Sequence, residues 1–405
     1  MEEVRLKRAV SLPLLVLYGL GTTIGAGIYA LLGEVAGSAG MLAPWAFLFA
    51  SLMALFPALS FAELSARYPR SAGEAVYVKE GFGLPQLALV VGLMVALAGS
   101  VSSASIINGA VGYLSEFIEP SGWLTIVSIT MLLGLIAAWG VKESIMAAGL
   151  LTLVEIGGLL VVIWVSRDAL TILPQELPRF FDFTGGYGLA GLLSAALLAF
   201  YAYLGFEDLV NVAEEVKGVK RNLPLAIVLT LTITTLLYLA LATAAVLSVP
   251  PEALGESQAP LALVFEHSTG GGASTFISLI ALFSIINGAL IQMIMASRVL
   301  YGLASQGLLP RFLAYIHPHT RTPLTATLLV VAFITLLALW FPLAPLARAT
   351  SVITLAIFSL VNLSLWNVKR REGKEQPQGL PRWVPATGFL LCAAFMLYGI
   401  TELTS

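Results

Sequence analysis

Cysteine, histidine and charge are all scarce in this 405-residue chain. It has one cysteine, Cys392, and three histidines. A lone cysteine excludes a disulfide framework and a cysteine-based metal site within one chain. No histidine falls in an apolar segment, whereas intramembrane catalysis would need paired carboxylates, a histidine cluster or a Ser–His pair there. We therefore expect neither an enzyme nor a bound metal; His317 and His319 share one loop without a third ligand nearby in sequence.

Charged residues make up 11% of the chain and hydrophobic residues 58%, and the mean hydropathy is +0.93. This composition predicts a polytopic membrane protein whose surroundings are lipid. The net charge of −2 gives no sign of a nucleic-acid partner, and none is expected. Arg5, Lys7 and Arg8 precede the first apolar run, which ends without a small-residue cleavage site. That run is predicted to be a retained span, not a signal peptide.

Eleven apolar segments reach the length of about 20 residues that a helix needs to cross a bilayer. They cover residues 12–33, 41–67, 85–116, 122–141, 145–166, 187–213, 223–248, 273–303, 323–341, 346–368 and 383–403. With a cytoplasmic N-terminus, only Arg167, Arg179 and Arg348 of the 21 basic residues fall outside. Because cytoplasmic loops collect Lys and Arg, we predict a multi-pass protein of the cell membrane with this orientation.

The first segment contains the stretch GLGTTIGAGIYALL, residues 19–32, which carries four glycines. Glycine inside a helix costs roughly 1 kcal/mol against alanine, so the stretch favours a broken helix over a continuous one. Unwound backbone within a membrane survives where protein or a water-filled cavity surrounds it. Close helix packing is the alternative, because small residues also let backbones approach each other.

The sixth segment has a matching interruption at Gly205, with Phe200, Tyr201, Tyr203 and Phe206 around it. Glu207 and Asp208 follow directly. Interrupted helices at corresponding positions of two halves indicate a transporter binding site. Since each half holds five spans, the second half must be inverted. We predict a first repeat over residues 1–186, a second over 187–371, and an extra helix over 372–405.

Two carboxylates in other spans also need an interpretation. Glu155 is in the middle of the fifth, where an ionised carboxylate costs at least about 2.5 kcal/mol. It is interpreted as a functional group, the alternative being a neutral residue that bridges two helices. Glu63 lies near the inner end of the second span and is interpreted as an interfacial carboxylate paired with a nearby arginine. Serines of the third span either line a wet cavity or bond their own helix carbonyls.

Several ordered motifs resemble the amino acid–polyamine–organocation (APC) superfamily of secondary transporters, over residues 9 to about 371. They are GTTIGAGIYALLG (21–33), AELSARYPRSAGEAVYVKEGFG (62–83), YLGFEDLVNVAEEVKGVKRNLPLAI (203–227), ASRVLYGLASQGLLP (296–310) and TSVITLAIFSLVN (350–362). The resemblance implies an all-α, leucine-transporter-like fold with two inverted five-helix repeats, broken first and sixth helices, and alternating access.

The resemblance also implies a substrate site. An amino acid carboxylate would meet N–H groups around Ile24, Gly25, Ala26 and Gly27, and its ammonium would meet carbonyls near the second break. Tyr201 or Phe206 would serve as an aromatic gate. The full set of expected substrate-binding residues is Thr23, Ile24, Gly25, Ala26, Gly27, Ser103, Phe200, Tyr201, Tyr203, Gly205, Phe206 and Gln292. The candidates for coupling are Glu155, Glu207, Ser284 and Asn287.

The chain departs from the family pattern in two ways. It has eleven spans where many members have twelve, and it has Glu155 where many carry a lysine. We therefore predict an amino acid symporter or antiporter coupled to H⁺ or Na⁺, with no other cofactor. A polyamine or cationic amino acid exchanger is the alternative, with Glu155 or Glu207 pairing with the substrate ammonium. A channel or sensor on the same scaffold is a third interpretation. No oligomeric state is predicted.

Overall fold

The computed structural model describes residues 10–25, 27–70, 73–115, 117, 121–139, 145–184, 188–271, 274–305, 307–317, 320, 322–372 and 379–404. Some residues named above lie outside this set: Arg5, Lys7, Arg8, Ala26 and His319.

Within the described ranges the chain is helical, and its only β-type pairing is a single bridge between Val10 and Val216. The α-helices are α1 (Leu12–Ile24), α2 (Gly27–Ala39), α3 (Ala43–Arg67), α4 (Gly73–Phe82), α5 (Pro85–Leu114), α6 (Gly122–Trp139), α7 (Ile145–Val165), α8 (Leu173–Glu176), α9 (Gly188–Tyr201), α10 (Val219–Ser248), α11 (Pro251–Glu256), α12 (Pro260–Thr269), α13 (Ser274–Ser305), α14 (Leu324–Trp340), α15 (Leu343–Arg371) and α16 (Trp383–Thr404). Five 3₁₀ segments cover Gly40–Leu42, Arg167–Ile172, Leu177–Phe181, Phe206–Glu215 and Arg311–Ala314.

Among the described residues, each of the eleven predicted spans contains helix. In the part of the chain that the structure describes, seven helical stretches are long and apolar enough to cross a membrane, or eight when Leu151–Val165 and Arg167–Phe181 are counted as one bent span. Leu12–Ile24, Gly122–Ala138 and Leu324–Trp340 are shorter apolar helices. The prediction of an all-α multi-pass membrane protein is confirmed.

The two interrupted helices lie at the centre of the bundle. α1 packs on α7 and α10, and α2 packs on α9 and α11. α5 lies against α13 and α15 on the other side of the centre. The second half of α9 is fully enclosed, since Ala196, Leu197 and Phe200 have no exposed surface. By contrast, α6 and α16 expose large apolar side chains such as Leu135 and Leu390, as expected of helices that face lipid.

Short helices cover the ends of the bundle. α4 packs on α5 and α15 on the predicted cytoplasmic side. On the opposite side, residues 167–181 form a rod of short helical turns, which we call the outer strap. The Trp45 indole N–H donates to the Phe180 carbonyl at 2.7 Å, and this bond holds the outer strap to the start of α3.

Candidate functional site

The first break separates α1 from α2. α1 ends at Ile24, Gly25 has φ −19° and ψ −92°, and α2 begins at Gly27. The Gly25 N–H still reaches the Gly21 carbonyl, at 3.3 Å. The first membrane helix is therefore interrupted as predicted, and the interruption is short. Ala26, which was expected to bind substrate, lies outside the described residues.

The second break follows α9. Helical geometry ends at Tyr201, residues 202–205 form turns, and a 3₁₀ segment begins at Phe206. Gly205 has φ +123°, a conformation that side chains other than glycine rarely adopt. A Glu207 carboxylate oxygen accepts the Gly205 N–H at 2.8 Å. The acidic residue that follows the break thus binds the backbone of the break itself.

The two breaks touch each other. The Thr22 hydroxyl donates to the Gly205 carbonyl at 2.9 Å. A side chain on Gly205 would overlap the Thr22 carbonyl oxygen, and one on Gly27 would come within 2.5 Å of the Ala202 Cα. Glycine at these positions allows the two backbones to approach directly. The predicted pairing of the interruptions is therefore present in the fold.

Tyr238 on α10 joins both breaks from behind. Its fully buried hydroxyl lies 2.9 Å from the Ala202 carbonyl and 3.1 Å from the Thr23 carbonyl. A phenol has one proton, so the two carbonyls share a single donor. The interaction gives the two unwound segments a common hydrogen-bond partner.

A cavity of about 30 Å³ opens between the breaks, α5 and α13. Its lining consists of Gly21, Thr22, Thr23, Gly27, Ser102, Ile106, Tyr201, Leu204, Asp208, Gly288, Ile291 and Gln292. The Tyr201 and Ser102 hydroxyls are hydrogen bonded across it at 2.8 Å. A volume of this size holds only a few waters, so an amino acid would require these walls to move apart.

A second cavity of about 40 Å³ continues from the first. It shares Ser102, Leu204, Asp208 and Gln292 with the first cavity and adds the carboxylates of Glu74 and Glu207. Glu74 belongs to α4, and burial raises the pKa of this carboxyl to about 7. The chamber beside the candidate substrate site is therefore lined by three acidic residues.

Four of the expected substrate-binding residues line the first cavity: Thr23, Gly27, Tyr201 and Gln292. Gly25 and Gly205 form the breaks beside it. Ser103 instead donates to the Ala289 carbonyl at 2.9 Å, and Ile24 is fully buried in the hydrophobic core.

The remaining expected aromatics pack behind the cavity. Tyr203 stacks edge-on against Tyr238, with ring centroids 5.2 Å apart. Phe206 packs with Phe61 at 6.0 Å and Phe358 at 5.4 Å, and Phe200 contacts Phe358 at 6.1 Å. Of the two candidate gates, the structure puts Tyr201 in the cavity wall and Phe206 in this aromatic cluster.

Sequence reasoning did not single out Ser102 or Asp208 as site residues. Ser102 neighbours Ser103 on the serine-rich third span, and only the helix rotation distinguishes the two. Asp208 neighbours Glu207 in the same way. Ser100 bonds its own helix, at the Ala96 carbonyl, whereas Ser105 donates to the Leu343 carbonyl at 3.0 Å. The serines of α5 therefore divide between bonds to their own helix and contacts with other groups.

The coupling candidates Glu155 and Ser284 meet at the first break. The Ser284 hydroxyl donates to the Gly25 carbonyl at 2.8 Å, and the Glu155 carboxyl lies close to this hydroxyl. Glu155 is 4% exposed, and its Oε2 has no hydrogen-bond partner among the described residues. The Tyr29 hydroxyl donates to the Glu155 carbonyl at 2.7 Å. Asn287 lies on the same helix as Ser284, half-buried.

Glu63 forms an ion-pair cluster at the other end of α3. It accepts hydrogen bonds from Arg67 Nε at 3.0 Å and from the Leu380 N–H at 2.9 Å, and lies 2.6 Å from Lys369 Nζ. Both the Glu63 and Lys369 side chains are only 7% exposed. The interpretation of Glu63 as a carboxylate paired with arginine is confirmed, and the cluster also ties α3 to the end of α15.

Comparison with known proteins decides the family. The amino acid permease family model matches residues 11–401. The chain belongs to the amino acid permease family. The resemblance to the APC superfamily is confirmed, and the family consists of transporters, not enzymes.

Individual relatives of this permease differ in what their names say they carry. It is 31% identical to cationic amino acid transporter 3, mitochondrial, of Arabidopsis thaliana, over 90% of this chain and 63% of the plant protein, so it spans less than two thirds of that relative's length. It is 26% identical to the branched-chain amino acid permease BcaP of Bacillus subtilis, over 98% of this chain and 89% of that protein. It is also 26% identical to the methylthioribose transporter of Bacillus subtilis, over 98% and 90%.

Proposed function

We propose that this permease is a secondary active transporter that moves an amino acid by alternating access and couples the movement to protons at Glu155. The family and the paired breaks support amino acid transport. The contact that joins Glu155, Ser284 and Gly25 carries the proposal of proton coupling.

The breaks offer complementary ends to a zwitterion. α2 begins at Gly27 and α9 ends at Tyr201; the N-terminal end of a helix favours a carboxylate, and the C-terminal end favours an ammonium. Both residues line the first cavity. The substrate's charged groups would bind there, and its side chain would extend toward Gln292 or the second cavity.

Coupling at Glu155 would depend on one proton. A serine hydroxyl has a single O–H, and Ser284 donates it to the Gly25 carbonyl. Ser284 can then only accept a hydrogen bond from Glu155, which requires a protonated carboxyl. If Glu155 lost its proton, Ser284 would turn to donate to the carboxylate and would release the Gly25 carbonyl. The proton on Glu155 is in this way linked to the first break.

The surroundings of Glu155 favour its protonated, neutral carboxyl in this conformation. An ionised carboxylate within a membrane needs a partner. The titratable groups of neighbouring helices that Glu155 acts on electrostatically are the phenols of Tyr29 on α2 and Tyr238 on α10. Neither supplies a positive charge. Glu155 would therefore carry its proton in this conformation and release it in another.

Uptake into proteoliposomes tests the coupling. Wild-type uptake should depend on the pH gradient, and Glu155→Gln should transport without that dependence because glutamine mimics the protonated carboxyl. The matched control is Glu266→Gln, which neutralises an exposed carboxylate on α12 and should keep the wild-type profile. Unchanged pH dependence in Glu155→Gln would remove Glu155 from the mechanism, and dependence on sodium at fixed pH would assign the coupling to Na⁺.

A cationic substrate is the second candidate, favoured by the second cavity. Glu74, Glu207 and Asp208 line this space next to the substrate site, and carboxylates would bind the ammonium or guanidinium of a long side chain. Competition of labelled substrate by alanine, arginine and putrescine distinguishes the candidates. If the cationic proposal holds, arginine should compete best, and Asp208→Asn should weaken its competition about tenfold or more.

We propose, in addition, an orientation of the chain in the membrane and a division into two inverted repeats. The N-terminus would be cytoplasmic in the cell membrane, and residues 1–186 and 187–371 would be inverted repeats, with residues 372–405 as an added helix. A cysteine-free variant carrying one new cysteine at position 217 or 266 tests this orientation. An impermeant thiol reagent should label intact cells at position 266 only; labelling at position 217 alone would reverse the orientation.

A further inference from the structure

A much larger cavity lies away from the two breaks, on the side predicted to face outside. Its volume is about 290 Å³, against about 30 Å³ for the cavity at the breaks. Its walls are the outer strap, the end of α10 and the start of α11. We call it the outer groove.

The walls of the outer groove are held in place by specific contacts. The Trp45 indole both donates to the Phe180 carbonyl and packs edge-on against Phe181 with ring centroids 5.4 Å apart. At the other end of the strap, the Ser166 and Ser268 hydroxyls are hydrogen bonded at 3.0 Å. The groove is therefore bounded by a strap that is anchored at both ends.

The groove combines an apolar floor with a charged rim. The floor includes Met41, Val246 and Val249, all buried. The rim carries Glu176 and Arg179, which form an ion pair at 2.8 Å, and also Glu252. The Arg179 side chain is 65% exposed, and a guanidinium has five N–H donors. It can therefore bind a second carboxylate while it keeps Glu176.

We propose that the outer groove is a second binding site, for an amino acid with an aliphatic side chain. The side chain would lie on the floor, the carboxylate would bind Arg179, and the ammonium would face Glu176 or Glu252. The volume is close to the lower limit of about 300 Å³ for small-molecule pockets, which suits a ligand of this size. This site is separate from the transport site and does not depend on the coupling at Glu155.

A ligand in the outer groove would touch an element that contacts the first membrane helix. Glu252 belongs to α11, whose Gly255 packs backbone to backbone against Gly37 of α2; a side chain on Gly37 would lie 2.8 Å from the Gly255 Cα. Gly33, one turn earlier on α2, contacts the Leu254 carbonyl. Occupancy of the groove would stabilise α11 in this position, and with it the outer half of the broken helix.

Binding of tritiated L-leucine to the purified full chain in detergent, measured by scintillation proximity, tests the site. Arg179→Gln should remove one component of leucine binding or weaken it at least about tenfold, because a charge-assisted hydrogen bond is lost. Val246→Trp, which fills the floor, should have the same effect. Arg167→Gln is the matched control: it removes an exposed arginine from the same strap outside the groove and should leave that component unchanged.

A third variant separates this site from the transport site. Gly27→Val blocks the contact between the breaks and should spare the groove component, even if it abolishes any binding between the breaks. The proposal would be overturned if no component of leucine binding to the wild-type protein were reduced by Arg179→Gln. It would also be overturned if Arg167→Gln removed that component to the same extent. Loss of the component in nanodiscs of phosphatidylethanolamine but not phosphatidylcholine would assign the groove to a lipid headgroup and equally refute it.

Discussion

Substitution of Gly205 by alanine is the most direct test of the paired breaks. Gly205 has φ +123°, and a Cβ added to it would lie 2.3 Å from the Thr22 carbonyl oxygen. Alanine would therefore be strained in its own backbone and would collide with the backbone of α1. A residue held in such a conformation costs about 1–3 kcal/mol, and overpacking a well-packed site adds about 1–3 kcal/mol.

The expected total for Gly205→Ala is about 2–6 kcal/mol, enough to lower the apparent melting temperature by several degrees. The assay is thermal unfolding of the purified protein, followed by uptake in proteoliposomes. Gly302→Ala is the matched control, because a Cβ there meets no atom within 4 Å, and alanine inside helix α13 should be neutral or stabilising by up to about 1 kcal/mol. Equal melting temperatures for the two variants would refute the contact between the breaks.

Three further changes test other parts of the structure. Burial raises the pKa of Glu74 to about 7. The protonated carboxyl therefore contributes stability to the fold that is fully present below the pKa of Glu74 in the unfolded chain and is lost as pH rises through about 7. Glu74→Gln should flatten the decline of melting temperature between pH 5 and pH 8, and an unchanged decline would contradict this. Glu63→Gln leaves Lys369 buried without its carboxylate and should destabilise the protein by about 3–5 kcal/mol, with recovery in the double variant that also carries Lys369→Met; a neutral single variant would show that the pair contributes nothing. Tyr201→Phe removes the hydroxyl that bonds Ser102 and should weaken substrate binding several-fold, in line with about 0.5–1.5 kcal/mol per hydrogen bond, whereas unchanged affinity would place this bond outside the binding step.

The first break lies where the glycine-rich stretch predicted it, but only two of the four glycines behind that prediction lie at the break. α1 continues unbroken through Gly19 and Gly21 and ends just before Gly25. Gly19 instead makes room for Thr230 on α10, and Gly21 for Thr152 on α7. The close-packing alternative thus explains two of the four glycines. Composition alone cannot separate these roles, because the sequence does not show whether a glycine ends a helix or makes room for a neighbouring helix.

The second break was easier to predict because different residue types mark it. Gly205 supplies the unusual backbone angle, and Glu207 supplies the acceptor for its N–H. What sequence reasoning could not supply was helix rotation and the partners of each side chain. Ser102 and Ser103 are adjacent, yet one faces Tyr201 and the other the backbone of α13. Such a difference of about 100° around a helix is set by tertiary packing.

The contacts at the centre differ in kind, and this difference determines how the site can open. The two breaks are joined backbone to backbone, at Gly27 with Ala202 and at Gly205 with Thr22, and close-packed backbones do not separate without loss of that packing. Toward α5 and α13 they are joined by side-chain hydrogen bonds, from Tyr201 to Ser102 and from Ser284 to Gly25. Each such bond contributes about 0.5–1.5 kcal/mol. The two breaks should therefore move together as one unit, and the cavity should open where that unit meets α5 and α13. In the proposed coupling, this is the side on which the protonation of Glu155 would decide whether the Ser284 bond is present.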